Sequence, residues 1–312
     1  MSELELHRAP VSVGEIAYVD EGDPESPAVV FLHGFPTSSY LWRELVPLFA
    51  PWMRAIAPDL LGCGDSSKPG NASLEPHAQA GHLRELLASL GVERFAVVGH
   101  AEGGGIAQIL ALEGGVEALV LIDTIALDAR SPMLAAAAAS GGESPASRAD
   151  ARKAITAFLD RAVARTERPV DELRMEYLRP FSGPDGARAF DRLMRGARAG
   201  ALPTAEDLSR IACPTLILWG EEDPFLPVEL AERLNDAIET SSLAILPGCS
   251  HLLPEDAPQT IAPLVFEYLR SRYLGRPHSH VEPGRVMIEL ERGPATGQGK
   301  PGGGASGPGG TG

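Results

Sequence analysis

Short apolar runs separated by amphipathic stretches set the pattern of this chain. Glu15–Asp20 alternates polar and apolar positions as a half-buried strand does, and Ala28-Val29-Val30-Phe31-Leu32 is an unbroken apolar run of strand length. Arg54–Ala57, Phe95–Val98, Ala118–Ile122, Pro214–Trp219 and Leu243–Leu246 read as further strands. Between them, Ser39–Phe49, His77–Leu90, Gly103–Leu112, Pro227–Ile238 and Pro258–Tyr273 read as helices. In the second of these Leu83, Leu86, Leu87 and Leu90 share one face, and Gly91 supplies the stop. Strands and helices that alternate in this way form right-handed crossovers. The expected fold class is therefore α/β, with a mostly parallel, doubly wound sheet and helices on both faces.

The strand signal disappears between residues 127 and 209, where Ala, Arg and Glu recur at helical spacing and Ile155, Phe158, Leu159 and Val163 form an apolar stripe. This is a helical insertion after the sixth strand, in the place of a cap or lid. The expected organisation is a core of residues 1–126 and 210–275, a helical cap over 127–209, and a Gly/Pro-rich flexible tail over 276–312. Ten glycines and three prolines in Gly293–Gly312 leave too few apolar side chains to offset the entropy of ordering. Within that tail Val286–Leu290 has the composition of a short edge strand, and His278 and His280 read as solvated.

Composition adds exclusions. Apolar residues make up 44% and charged residues 22%, which is ordinary for a globular chain. A net charge of −15 disfavours nucleic acid and anionic membrane as partners, since both are polyanions. The N-terminus lacks a basic, then apolar, leader, and no eighteen apolar residues run together. Three widely spaced cysteines, Cys63, Cys213 and Cys249, fit neither a disulfide framework nor a metal pair, and Cys63 and Cys249 read as small buried side chains. The expectation is a cytoplasmic protein with a small-molecule substrate or ligand, with its oligomeric state left open. No metal or organic cofactor is implied: there is no HExxH, and Gly299-Lys300 runs into Pro301 where a phosphate loop needs Ser or Thr.

The most informative segment is Gly99-His100-Ala101-Glu102-Gly103, between a predicted strand and a predicted helix. Glycines two before and two after a central residue permit a sharp turn that exposes the central side chain, the arrangement of a nucleophile elbow. The centre is Ala101, whose methyl group cannot attack a carbon. The pattern does not fit the dinucleotide fingerprint, and Asp123, at a strand end further on, reads as coincidental. Upstream, His33-Gly34-Phe35-Pro36 has the look of an oxyanion loop, with the amides of Phe35 and Glu102 as donors. Downstream, Asp223 and His251 each follow a strand, so the chain order 101, 223, 251 is nucleophile, acid, base. His100 reads as packing against the sheet. Glu102 reads as a surface carboxylate at the positive end of the following helix, with projection into a cavity as the other reading.

Four motifs in this order resemble those of the α/β-hydrolase superfamily over residues 3–274. His33–Arg43 and Ala57–Ser66 are similar to the haloalkane dehalogenase and epoxide hydrolase branch. The resemblance implies the α/β-hydrolase fold and a His–Asp pair that activates water, in a branch where the elbow carries an Asp that forms an ester intermediate. The chain departs from the branch in having Ala101 at the vacant nucleophile position, Glu102 where dehalogenases carry a halide-binding Trp, and Phe35 where many carry Asn. Epoxide hydrolases activate their substrate with lid tyrosines, for which Tyr177 is the pocket candidate here. The resemblance implies a hydrolase of a small apolar ester, epoxide or haloalkane, with covalent hydrolysis impaired by Ala101. The alternatives are a non-covalent, base-catalysed enzyme using His251 and Asp223, or a non-catalytic protein that binds a small ligand.

Overall fold

A nine-stranded sheet runs through the middle of the molecule. The computed structural model describes residues 4–139, 148–164, 170–275 and 285–287. The strands are β1 (Leu6–Val11), β2 (Gly14–Glu21), β3 (Ala28–Leu32), β4 (Arg54–Pro58), β5 (Phe95–His100), β6 (Val116–Ile122), β7 (Thr215–Gly220), β8 (Ser241–Leu246) and β9 (Arg285–Met287). Their order is β1-β2-β4-β3-β5-β6-β7-β8-β9. β1 and β2 are antiparallel to each other and β2 to β4, while every pairing from β4 to β9 is parallel. All residues of β3, β4, β5, β7 and β8 are buried. Continuous apolar runs are the composition that a parallel sheet covered on both faces demands.

This is the α/β-hydrolase fold, with a mostly parallel sheet and a helical cap inserted after β6. Helices Pro132–Ala139, Arg148–Ala162, Val170–Leu178, Pro184–Ala199 and Ala205–Leu208 lie between β6 and β7. The apolar stripe of the insertion faces inward, since Ile155, Phe158 and Leu159 are all buried. No helix among the described residues is long and apolar enough to cross a membrane.

One local expectation changes, and the two edge strands add to the picture. β1 has little apolar signature because it is an edge strand, and Pro10 within it pairs with Glu15 at the hairpin end. Ser39–Phe49 is not one helix. It is a 3-10 turn, Ser39–Trp42, followed by a single turn, Val46–Phe49. Pro47 has no amide to continue a helical ladder, and the Ser39 amide donates to Asp59 Oδ1 at 2.7 Å, tying the turn to the loop after β4. Within Val286–Leu290, residues 286 and 287 belong to β9 beside β8. The rest of the tail expectation, with His278 and His280, falls outside the described residues.

Candidate active site

The C-terminal ends of β3, β5, β7 and β8 place four loops at one edge of the sheet. The turn after β5 is an elbow in its backbone: Ala101 sits at φ 49° and ψ −118°, between the strand and the helix Glu102–Glu113. A non-glycine residue held there costs on the order of 1–3 kcal/mol, so the surrounding contacts must enforce it. They do. The Ala101 carbonyl accepts from the amides of Gly104, Gly105 and Ile125 at 3.1–3.2 Å, and its amide donates to Ile122 at 3.2 Å. Glycine at 103 is a packing requirement, because a Cβ there would lie 2.2 Å from the Leu32 carbonyl oxygen.

The loop after β3 is aligned by His33. Its Nδ1 bonds the Gly34 carbonyl at 2.8 Å, and its Nε2 accepts from the Leu60 amide at 2.9 Å. Burial pulls the His33 pKa below the ordinary histidine value, which keeps the ring in the neutral form those two bonds require. Gly34 allows the loop to approach the elbow: a Cβ on it would meet the Ala101 methyl at 2.6 Å and Glu102 Oε2 at 2.9 Å. Those two groups therefore border the same point.

His251, in the loop after β8, bonds Asp223 through Nδ1 to Oδ2 at 2.7 Å, and both side chains are fully buried. Asp223, after β7, also accepts from the amides of Phe225 and Leu226 at 2.8 and 3.0 Å through Oδ1, which fixes its carboxylate plane. The His251 ring packs edge-on against both Phe158 of the cap, 5.8 Å between centroids, and Phe225 at 5.5 Å, which stack on each other. Its Nε2 has no hydrogen-bond partner among the described residues. His100, assigned only a packing role above, has a second one: its Nε2 bonds the His251 carbonyl at 2.9 Å and so braces the loop. Burial, and then the neighbouring His251, push the His100 pKa well down.

The expectation that Glu102 is a surface carboxylate is wrong. The residue is 8% exposed, and Oε2 accepts from the Phe35 amide at 2.9 Å while Oε1 accepts from the Ser131 hydroxyl. Burial raises the Glu102 pKa, against hydrogen bonds from Ser131, the Phe35 amide and its own amide. The two amides expected to form an oxyanion site thus both serve the Glu102 carboxylate. The isolated sequence favoured the helix-end reading because it could not show that Ser131, at the start of the cap, folds back over residue 102.

Tyr177 does not line this site. It is fully buried between cap and core, and its hydroxyl donates to Glu255 Oε1 at 2.7 Å. Glu255 in turn receives both arms of the Arg43 guanidinium at 2.8 and 2.7 Å. Burial and then the Glu255 charge push the Tyr177 phenol well above its usual pKa, which makes it a hydrogen-bond donor to that carboxylate. Cys63 borders the cavity but is buried, and burial drives its thiol pKa up, away from thiolate chemistry.

Asp123, dismissed from sequence, lies at φ 40° at the end of β6 and is fully buried. Its Oδ1 accepts from the Gly220 amide at 2.8 Å. Burial, and then the adjacent Asp223, push its carboxyl well above the carboxylate range. A carboxyl with a raised folded-state pKa binds a proton more tightly folded than unfolded, so its contribution to stability declines as pH rises above its unfolded value. Asp123→Asn removes that decline. The variant is expected to match the parent in stability near pH 4 and to exceed it at pH 7–8, in denaturant titrations at both pH values.

A cavity of about 330 Å³ opens beside Glu102, bordered by Phe35, Cys63, Ser131, Leu193 and Leu202 among others. The His251 ring lies 4.9 Å between centroids from that of His100, the residue before Ala101, so the imidazole stands at the elbow.

Residues 29–264 match the model of the alpha/beta hydrolase family, and the chain belongs to that family. It is 30% identical over 273 residues to haloalkane dehalogenase 2 of Mycobacterium tuberculosis (strain ATCC 25618 / H37Rv), covering 82% of this chain and 92% of the relative. It is 28% identical over 284 residues to the soluble epoxide hydrolase of Corynebacterium sp. (strain C12), covering 83% and 95%. Among solved structures, a bacterial membrane phospholipase A superposes with a TM-score of 0.74 at 27% identity, over 86% of each chain. Kinship therefore lies with the dehalogenase and epoxide hydrolase branch.

Proposed function

We propose that the protein hydrolyses a small apolar substrate of the haloalkane, epoxide or ester type, with His251, oriented by Asp223, as the base that activates water. One observation carries this reading: a buried imidazole whose Nδ1 is engaged by an acid at 2.7 Å, whose Nε2 has no partner among the described residues, and whose ring lies 4.9 Å between centroids from His100 at the elbow. Burying such a pair without use is costly, because a buried polar atom without a partner forfeits about 1–3 kcal/mol. The two relatives named above bring the haloalkane and epoxide classes to this chain. Tyr177, engaged with Glu255, is not placed to protonate an epoxide oxygen, which favours haloalkanes within that range.

Ala101 supplies no nucleophile, so the reading requires either direct attack by water or a nucleophile from another residue. The test is turnover of short haloalkanes, terminal epoxides and nitrophenyl esters, scored as released halide, diol and nitrophenolate. Hydrolysis of at least one class is expected. Tight calorimetric binding of an apolar compound with no turnover of any class contradicts this proposal and supports a binding protein.

A further inference from the structure

We infer that Glu102 keeps esters out of this site, because its own carboxylate already occupies the backbone amides that an ester's carbonyl oxygen would need. The inference rests on the hydrolase reading above and removes one of its three substrate classes. Hydrolysis of an ester puts negative charge on the carbonyl oxygen, and that charge needs fixed N–H donors. The donors expected here are the amides of Phe35 and Glu102, and both are taken. Phe35 donates to Glu102 Oε2 at 2.9 Å. That separation falls within the span of about 2.7–3.1 Å at which such donors meet a developing oxyanion. The Glu102 amide bonds its own carboxylate. A carboxylate oxygen thus stands where a substrate oxygen would have to go.

The block is held from two sides. Oε1 accepts from the hydroxyl of Ser131, a buried residue just before the cap helix Pro132–Ala139. The Phe35 ring packs against Phe190 and Phe181 of the cap, at 5.0 and 5.9 Å between centroids. The loop therefore cannot carry its amide away from Glu102 without unpacking the cap. Protonation does not lift the block either, since a neutral carboxyl keeps a carbonyl oxygen that accepts from the Phe35 amide. When Glu102 is ionised, a second negative oxygen beside it is also repelled. Attack at a saturated carbon develops no charge on a carbonyl oxygen, so the exclusion falls on esters alone.

The test is hydrolysis of 4-nitrophenyl acetate beside the binding of formate, a carboxylate free of any side chain. Glu102→Ala is expected to hydrolyse the ester at least about 10²-fold faster than the wild type, the effect of a single donor of this kind being about 10²–10³ in rate. In that variant a water gives a proton to His251 Nε2 and its oxygen bonds the carbonyl carbon, whose oxygen takes the electron pair between the vacated amides. Collapse breaks the ester bond, nitrophenolate leaves as an anion, and the protons of His251 and of the acetic acid pass to solvent. Adding His251→Ala should abolish the gain. Glu102→Gln keeps an oxygen on the Phe35 amide and should gain far less. Formate is expected to bind Glu102→Ala in calorimetry, to inhibit its ester hydrolysis competitively and to raise its melting temperature, while leaving that of the wild type unchanged. Where Glu102→Ala fails to fold, Glu102→Ser, also too short to reach the Phe35 amide, takes its place in every measurement.

Equal ester rates in the folded variant and the wild type overturn the inference and leave the hydrolase reading with all three classes. A variant that does not bind formate overturns it too, since the amides are then not an anion site. An equal gain in Glu102→Gln likewise overturns it, by placing the block on charge and not on occupancy. No turnover of any class by any of these proteins overturns the hydrolase reading, and the ester exclusion with it, even where formate binds.

Discussion

Glu255→Ala is expected to lower the unfolding free energy by about 3–5 kcal/mol. Arg43 is 7% exposed and Glu255 is 4% exposed, and they bond each other through both guanidinium arms. Deleting the carboxylate strands a buried cation and also orphans the Tyr177 hydroxyl. Arg43 follows the 3-10 turn after β3, Tyr177 belongs to the cap, and Glu255 sits in the short helix after His251. The cluster thus ties the cap, the core and the segment after His251 together, and its loss loosens all three. Calorimetry should show a melting temperature lower by about 6–15 °C. An unchanged melting temperature would mean that the cap is held to the core by apolar packing alone.

Asp223→Asn carries the second large effect, about 10⁴-fold in kcat with little change in stability. The asparagine oxygen can still accept from the Phe225 and Leu226 amides, so the loop keeps its shape. The group facing His251 Nδ1 becomes an NH₂, which donates where the wild type accepts. The imidazole must then either lose that bond or present its proton at Nε2, where it cannot take one from water. Steady-state rates beside thermal melts separate this from unfolding: a fall in kcat with an unchanged melt is expected, and a parallel fall in both would make Asp223 a structural residue only.

What could be read in advance follows from range along the chain. Buried parallel strands announce themselves because both faces are apolar, so β3, β5, β6, β7 and β8 stand out as continuous runs. The elbow was legible because its glycines sit at fixed offsets from Ala101, and Asp223 and His251 because each directly follows a strand. Features made by distant pairs were not. Glu102 meets Phe35, 67 residues away, and Arg43 meets Glu255, 212 residues away, and neither pairing leaves a local pattern. Tyr177 was misplaced for the same reason, since its partner lies 78 residues downstream. Asp123 was passed over because it was weighed only against a dinucleotide pattern it did not fit, and its burial near Asp223 depends on the fold.

Whether His251 acts as a base at the elbow is measured most directly by the steady-state hydrolysis rate of His251→Ala against wild type, on whichever class the wild type turns over. The prediction is a fall to background, about 10⁴-fold or more, in a protein that melts at the same temperature. Equal rates in the two proteins would show that the imidazole takes no part in the chemistry.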